Sequence, residues 1–224
     1  MAFDAWWPLP YRLTERGERR RQEMRTRLVD AAERLFAERG YHATSLRHVV
    51  DMAGTSIGNC YFYFPNKEEL LLAVVERTSL ELGAVVERAT EGVPPLARVP
   101  VSVYSSVMWT LERPALGRVL LIEAPTASSR RIALDYSVER SRRISAEAPE
   151  LLRGKPAELV AQAWIGAVVQ VLEAAMTGLV TESPRSIARF MAEWNLRALG
   201  LPEPATAEAL AGLDAYISTQ EERR

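Results

Sequence analysis

The sequence contains few of the residues that disulfide frameworks, metal sites and membrane spans require. Cys60 is its only cysteine, and His42 and His48 are its only histidines. A disulfide within the chain and a cysteine-based zinc finger are therefore excluded, and a histidine-rich metal site is not expected. The longest strongly apolar run, residues 163–169, lies between two glutamines. It is far shorter than the roughly 20 residues of a membrane span.

The net charge is also close to zero, and the sequence shows little sign of a targeting signal. The formal net charge is -1 over 224 residues, so a nucleic-acid-binding surface has to be local. An aspartate and two prolines precede the first arginine, which is not the pattern of a secretory signal. We find no strand alternation, internal repeat or low-complexity tract. These absences lead us to expect a cytoplasmic protein with no cofactor, no metal and no membrane partner.

Helical periodicity is the main pattern that the sequence does contain. Apolar residues at three- and four-residue spacing predict a first helix over residues 21–39, with Gly40 as its C-terminal cap. Residues 1–20 are expected to be irregular because of Pro8 and Pro10. The arginines from Arg12 onward form either a solvated lead-in or a basic arm that reaches phosphates or the adjacent minor groove.

The stretch 44–67 predicts two short helices joined by a tight turn. Leu46, Val49, Val50 and Ala53 recur at the spacing of one helix face. Gly54 supplies the backbone freedom for the turn, and Ser56 can cap the second short helix. This is a helix-turn-helix, whose second helix can enter a DNA major groove. A further long helix starts at Asn66, which can cap it.

Beyond a break at residues 92–95, every remaining segment shows a helical pattern. Helices are expected over residues 96–112, 114–123, 126–148, 157–180 and 183–199, with one weaker helix after Ala205. The segment 157–180 is apolar on several faces, which indicates burial on more than one side. The fold class predicted is all-α, with about nine to ten helices.

Taken together, these motifs resemble the DNA-binding region of TetR-family transcriptional regulators over about residues 21–85. The resemblance rests on AAERLF at 31–36, Gly40, Thr44 with Ser45, Ala53 with Gly54, Ser-x-Gly at 56–58, Tyr-x-Tyr-Phe at 61–64 and NKEEL at 66–70. It implies an irregular N-terminal arm (1–20), a three-helix helix-turn-helix DNA-binding domain (21–66) and a helical effector-binding and dimerisation domain (67–224).

The resemblance implies a regulator, most commonly a repressor, that binds a palindromic DNA operator as a homodimer. A small apolar or aromatic effector would release it. The DNA contacts implied by matching positions are Thr44, Ser45, Arg47, Ser56, Ile57, Gly58, Asn59, Tyr61, Tyr63 and Lys67. Hydroxyl groups suit phosphates, Arg47 suits a guanine edge, and Asn59 suits a base edge. Ile57 has two readings, because its spacing from Cys60 suits the core and its position suits a thymine methyl.

In the C-terminal region the resemblance concerns the fold alone. The last two long helices are expected to form the dimer interface through Gly166, Ala167, Val171, Phe190 and Trp194. The effector site is expected to use Tyr104, Met108, Trp109, Glu123, Tyr136 and Trp164. For each of these residues, ordinary packing within one chain is the competing interpretation.

Two other classes of function compete with a regulator. An enzyme is disfavoured because we find no metal motif, phosphate loop or nucleophile elbow. A helical ligand-binding or adaptor module without operator binding is disfavoured because Arg47, Tyr61, Tyr63 and Lys67 are all present. Binding to a palindromic duplex that weakens with salt separates the three classes.

Overall fold

The computed structural model describes residues 15–123 and 152–222. Between these ranges it describes only Ser128, Arg131, Ile132, Asp135, Val138, Glu139, Arg142 and Arg143. For Leu120 and Glu123 it describes the backbone only. The described residues form nine α-helices and one π-helical turn, and contain no strand, so the predicted all-α class is confirmed.

The helices are α1 (Glu15–Arg39), α2 (Leu46–Ala53), α3 (Ile57–Tyr63), α4 (Lys67–Thr90), α5 (Pro95–Leu111), α6 (Pro114–Arg118), α7 (Ala157–Met176), α8 (Pro184–Ala198) and α9 (Glu203–Glu222). The π-helical turn, Val119–Glu123, directly follows α6. The predicted helix over 114–123 is therefore an α-helical turn followed by a π-helical one. In the predicted helix over 126–148, the eight described residues are all helical, and the other residues lie outside the described part of the chain.

Helix α1 begins at Glu15, so residues 15–20, which were expected to be irregular, are helical. Glu15 and Glu18 lie in its first turn, where negative charge favours the positive end of the helix dipole. Its apolar stripe is fully buried at Leu28, Ala32 and Phe36. Helices α2, α4 and α6 pack against α1, and α3 packs against α2. Helix α1 is therefore the platform of the N-terminal unit.

An ion-pair cluster also joins α4 to α1. The Arg77 guanidinium on α4 donates hydrogen bonds to the carboxylates of Asp30 and Glu33 on α1, and reaches the Val29 carbonyl at 3.4 Å. Burial alone would lower the pKa of Arg77, but Glu33 and Asp30 outweigh burial and raise it. This ion-pair cluster therefore fixes the orientation of α4 against α1, in addition to the apolar packing between the two helices.

Helix α5 is the centre of the C-terminal region. Helices α4, α8 and α9 all pack against it. Helix α9, predicted from the sequence only as a weak element, is 20 residues long and buries Thr206, Ala209 and Leu213. The end of α5 and the segment after it belong to the N-terminal core instead, because Trp109, Leu116 and Val119 pack there with the residues of α1.

Helix α7 is only partly covered. Val160, Ala161 and Leu172 are its buried residues, and most of the others are half-buried or exposed, so the burial on more than one side that the sequence predicts is incomplete within one chain. Among the described residues it is the one helix long and apolar enough to cross a membrane, judged by length and composition. The next helix, α8, exposes Phe190 and Trp194, with 60% and 47% of their surface accessible. Both helices therefore present apolar surface outward.

Replacing Arg77 with Ala should destabilise the chain. Because the guanidinium is only 26% exposed and bonds two carboxylates on α1, we expect a loss of about 1 kcal/mol in urea unfolding. Arg34→Ala is the matched control, since Arg34 pairs with Glu38 on its own helix and is well exposed. Equal losses for the two variants would show that the contact between α1 and α4 contributes nothing extra.

Cys60 should resist alkylation in the folded protein. Its side chain is 0% exposed, and burial raises the pKa of the thiol, so the reactive thiolate is scarce. Iodoacetamide should label the urea-unfolded chain and leave the folded chain unlabelled over the same time. A mass shift reports this residue alone because the chain has one cysteine. Equally fast labelling of both states would show that α3 is not docked.

Candidate nucleic-acid interface

Helix α2 begins with a reciprocal cap. The Ser45 hydroxyl accepts a hydrogen bond from the His48 N–H at 3.2 Å, and the Ser45 N–H donates to His48 Nδ1 at 3.3 Å. This is a capping box in which histidine replaces the usual glutamate or glutamine. The Ser45 O–H group remains available as a donor, since a hydroxyl carries one donor and two acceptor positions. Ser45 is exposed, so this donor faces solvent.

The turn between α2 and α3 is held from α1. Gly54 caps α2 in the left-handed conformation, with φ 64° and ψ 47°, which glycine adopts without steric cost. The Arg27 guanidinium donates to the Ala53 carbonyl and, at 3.3 Å, to the Gly54 carbonyl. A cation at these terminal carbonyls also suits the negative end of the α2 dipole. Arg27 therefore positions the turn, although its sequence context suggested only a basic stretch.

Helix α3 is short and is fixed by its cap and its inner face. The Ser56 hydroxyl accepts from the Asn59 N–H at 3.2 Å, and the Phe64 N–H closes the last turn on the Cys60 carbonyl at 2.9 Å. Cys60 and Phe64 are buried in the N-terminal core. Tyr63 is partly buried and packs against the same core. The inner side of α3 therefore faces α1 and α2.

The outer side of α3 is accessible and almost entirely apolar. Ile57, Tyr61 and Phe62 are 43%, 53% and 61% exposed. Gly58 is also exposed, and a Cβ built on it meets nothing within 4 Å. The Arg21 guanidinium of α1 lies 4.9 Å from the centre of the Phe62 ring, a cation–π contact that places a charge beside this face. Of the two interpretations of Ile57, as a core residue or as a surface residue, the structure supports the surface residue.

Two of the expected DNA contacts have structural roles within the chain. Thr44 is 1% exposed, and its hydroxyl donates to the carbonyls of Gly40 at 2.8 Å and Leu35 at 3.3 Å. The Lys67 ammonium donates to the carbonyls of Tyr41 and Thr44, both at 3.0 Å, and lies over the Tyr41 ring. Partial burial lowers the pKa of Lys67. These groups hold the α1–α2 linker against α4.

The remaining predicted DNA contacts are exposed or half-buried. Arg47 on α2 and Ser56 before α3 are exposed, while Tyr63 is half-buried. Asn59 is half-buried, and its amide donates to the Thr55 hydroxyl at 2.8 Å. The sequence interpretation did not assign Phe62 or Arg21 to the interface. The spacing of Phe62 from Ile57, Gly58 and Tyr61 was the available signal, since these positions share one helix face.

Four of the expected effector residues lie in the packed cores, away from the cavity that opens beside α4 and α5. Tyr104 is buried in the C-terminal core against Tyr216, and Trp109 is buried in the N-terminal core. Met108 and Trp164 are partly buried among other core residues. None of these expected residues lines the cavity. Tyr136 and the side chain of Glu123 lie outside the described part of the chain.

A cavity of about 1000 Å³ lies beside α4 and α5, open to solvent. Leu80, Ala84 and Val86 of α4 give it an apolar wall. Its charged and polar lining comprises Glu87, Arg88, Thr90, Glu91, Arg98, Ser102, Asp135, Glu139 and Arg143. Part of this rim is internally paired, because Arg143 contacts Glu87 at 3.2 Å and Glu139 at 3.5 Å. A small molecule with both apolar and polar groups fits such a lining.

Comparison with known proteins bears on this interface. Residues 28–74 match the family described as bacterial regulatory proteins, tetR family. The HTH-type transcriptional repressor KstR of Mycobacterium tuberculosis is 32% identical over 114 residues, which cover 50% of each chain. The fatty acid metabolism regulator protein of Bacillus subtilis is 33% identical over 66 residues, covering 30% of this chain and 32% of that protein. The chain therefore spans about half the length, or less, of these curated relatives.

Similarity to solved structures extends over most of the fold. The crystal structure of RolR in complex with resorcinol superposes with a TM-score of 0.69 at 22% identity, covering 86% of this chain and 95% of that one. At this identity the superposition establishes the architecture alone. The N-terminal match includes both helices of the helix-turn-helix and the turn held by Arg27. Residues 28–74 therefore form a helix-turn-helix segment of the kind found in the tetR family of bacterial regulatory proteins.

Proposed function

We propose that this chain is a ligand-responsive DNA-binding transcriptional regulator, most commonly a repressor in its family. The observation that carries the proposal is the outer face of α3, which is exposed, helical and fixed at both ends. A recognition helix in the major groove needs such a face. Ser45, Arg47, Ser56 and Tyr61 supply the hydroxyl and guanidinium groups that suit phosphates and base edges.

We propose that the operator is palindromic and that two copies of the chain bind it. The uncovered apolar faces of α7 and α8 support a homodimer, because a second copy would remove them from water. Gly166 is exposed on α7, with nothing within 4 Å of a Cβ built there, while Ala167 and Val171 are partly buried. Phe190 and Trp194 are the large side chains offered by α8.

The proposed effector site is the cavity between α4 and α5. Helix α4 spans both regions, since Leu70 and Leu71 are in the N-terminal core and Glu87 lines the cavity. A ligand that binds one spacing of the two recognition helices better than another lowers DNA affinity through linkage. The resorcinol bound by RolR is a small aromatic diol, and a ligand of that kind suits an apolar wall with a polar rim.

An enzyme and a pure adaptor are weaker alternatives. The curated relatives named above are a transcriptional repressor and a regulator protein of fatty acid metabolism. A cytoplasmic location accords with a DNA-binding function. The proposed division of the chain places the DNA-binding domain at residues 21–66 and the effector and dimerisation domain at 67–224. The N-terminal residues of α1 that lie before this boundary extend the DNA-binding unit.

Gly58→Ala should weaken DNA binding without weakening the fold. Glycine within a helix costs about 1 kcal/mol relative to alanine, and no atom of the chain obstructs the added methyl group. We therefore expect unchanged or higher thermal stability, with a loss of at least about tenfold in operator affinity because the helix backbone can no longer approach the groove as closely. The operator is first obtained by selection from a random duplex pool, and affinity is measured by fluorescence anisotropy.

Gly83→Ala is the matched control for this variant. Gly83 is also helical, lies on α4 away from α3, and likewise has nothing within 4 Å of an added Cβ. It should gain stability to a similar degree and keep full DNA affinity when no effector is present. Equal affinity of the Gly58 and Gly83 variants would argue against α3 as the recognition helix, and recovery of no specific duplex would refute the proposed function.

Phe190→Asp should convert the dimer to a monomer. The side chain is exposed within one chain, so the substitution should leave each protomer folded and place an unpaired charge in the proposed interface. Analytical ultracentrifugation gives the mass, and circular dichroism checks the helix content. Leu80→Asp is the control, since Leu80 is 53% exposed on α4. A monomeric parent protein, or a Phe190 variant that stays dimeric, would contradict the proposed interface.

A further inference from the structure

We propose that the outer face of α3 reads the C5-methyl groups of thymines, and that Ile57 makes the principal contact. This inference rests on the proposed DNA-binding function. It adds the chemical feature of the operator that the recognition helix selects. It also makes Ile57 a determinant of specificity, distinct from the residues that supply phosphate affinity.

The geometry of α3 places four residues on one accessible face. Successive residues of an α-helix are rotated by about 100°, so Ile57, Gly58, Tyr61 and Phe62 point outward together while Cys60 points into the core. The Tyr61 hydroxyl is the only hydrogen-bonding side-chain group among the four. The face is therefore suited to apolar contact and offers little to the donors and acceptors of base edges.

The polar side chains at the start of α3 are committed to the helix itself. The Asn59 amide donates to the Thr55 hydroxyl at 2.8 Å, and the Ser56 hydroxyl accepts from the Asn59 N–H at 3.2 Å. A bidentate bond from asparagine to adenine uses the amide nitrogen and oxygen together. The bond to Thr55 uses one of the two amide N–H groups and directs the half-buried Asn59 side chain toward the α2–α3 turn, whereas Ile57 is exposed, so apolar readout is favoured at this end of α3.

The position of Ile57 brings it to the base edges. It is the first residue of α3, and the N-terminal residues of a recognition helix are those that contact bases. The neighbouring Gly58 has no side chain and is unobstructed, which allows the helix to approach the groove floor. The thymine methyl is the apolar group that the major groove presents. An exposed isoleucine at this point therefore selects thymine by removing both apolar groups from water.

Charged groups lie beside the apolar face, which favours DNA over an apolar protein partner as its occupant. Arg21 is held at one edge by its contact with the Phe62 ring, 4.9 Å from the ring centre. Arg47 is exposed on the adjacent α2. Guanidinium groups at the edges suit the phosphates that border the groove, while the apolar centre meets the base methyls.

The test compares thymine with deoxyuridine in the selected operator, using the full-length protein. Deoxyuridine lacks only the C5-methyl group. We expect one thymine in each half-site whose replacement lowers affinity about three- to fourfold, which is the effect of one buried methyl. Replacing it in both half-sites should lower affinity roughly tenfold. Ile57→Ala should bind the thymine duplex more weakly and should no longer distinguish it from the deoxyuridine duplex.

Two further variants complete the experiment. Arg21→Gln should weaken binding to both duplexes equally and keep the thymine preference, since its charge serves phosphates. Ile57→Val, which removes one methylene group and fits any fold that accepts isoleucine, should show a reduced preference. Circular dichroism confirms that all variants retain the helix content of the parent.

The failure of this inference is distinguishable from the failure of the proposed function. A selected operator whose thymines can all be replaced without loss overturns the inference and leaves DNA binding intact. Thymine preference that persists unchanged in Ile57→Ala also overturns it, as does unchanged duplex affinity of that variant, which would assign the face to another partner. Recovery of no specific duplex overturns both.

Discussion

A seven-residue helix is not stable by itself in water, because the cost of nucleation exceeds what two turns of hydrogen bonds return. The proposed recognition surface depends on such a helix, α3. Its order comes from Cys60 and Phe64 packed in the N-terminal core, and from a turn whose carbonyls are bonded by Arg27. The accessible face of α3 is therefore only as rigid as its buried face is well packed.

The same core extends beyond the N-terminal helices. Trp109, Leu116 and Val119 follow the helix-turn-helix by many residues in sequence, yet they pack with the residues of α1. Lys67 adds a polar tie between α4 and the α1–α2 linker. A shift at the end of α5 or at the start of α4 must therefore be accommodated by the platform that holds α3. The proposed coupling between the C-terminal cavity and the outer face of α3 rests on this continuity of packing.

The chain leaves apolar surface exposed in two places with different surroundings. On α3 the apolar face has guanidinium groups beside it, as at the Arg21 contact with Phe62, which suits a polyanion with apolar groups in its groove. On α7 and α8 the exposed apolar side chains include Leu159, Phe190 and Trp194, which suits a second copy of the chain. The two apolar surfaces therefore differ in the charge around them, and this difference suits them to different partners.

The sequence by itself determined the helical class, the helix-turn-helix at 44–67 and the caps at Ser56 and Asn66, because these depend on local periodicity and on side chains within three residues. Only the tertiary structure decided that Thr44 is buried, that Arg27 and Lys67 bond distant carbonyls, and that the cavity lies beside α4. Those outcomes depend on which face of α1 meets the other helices. Helical spacing alone does not show whether Ile57 lies in the core or at the surface, because buried and exposed residues of a short helix recur with the same period.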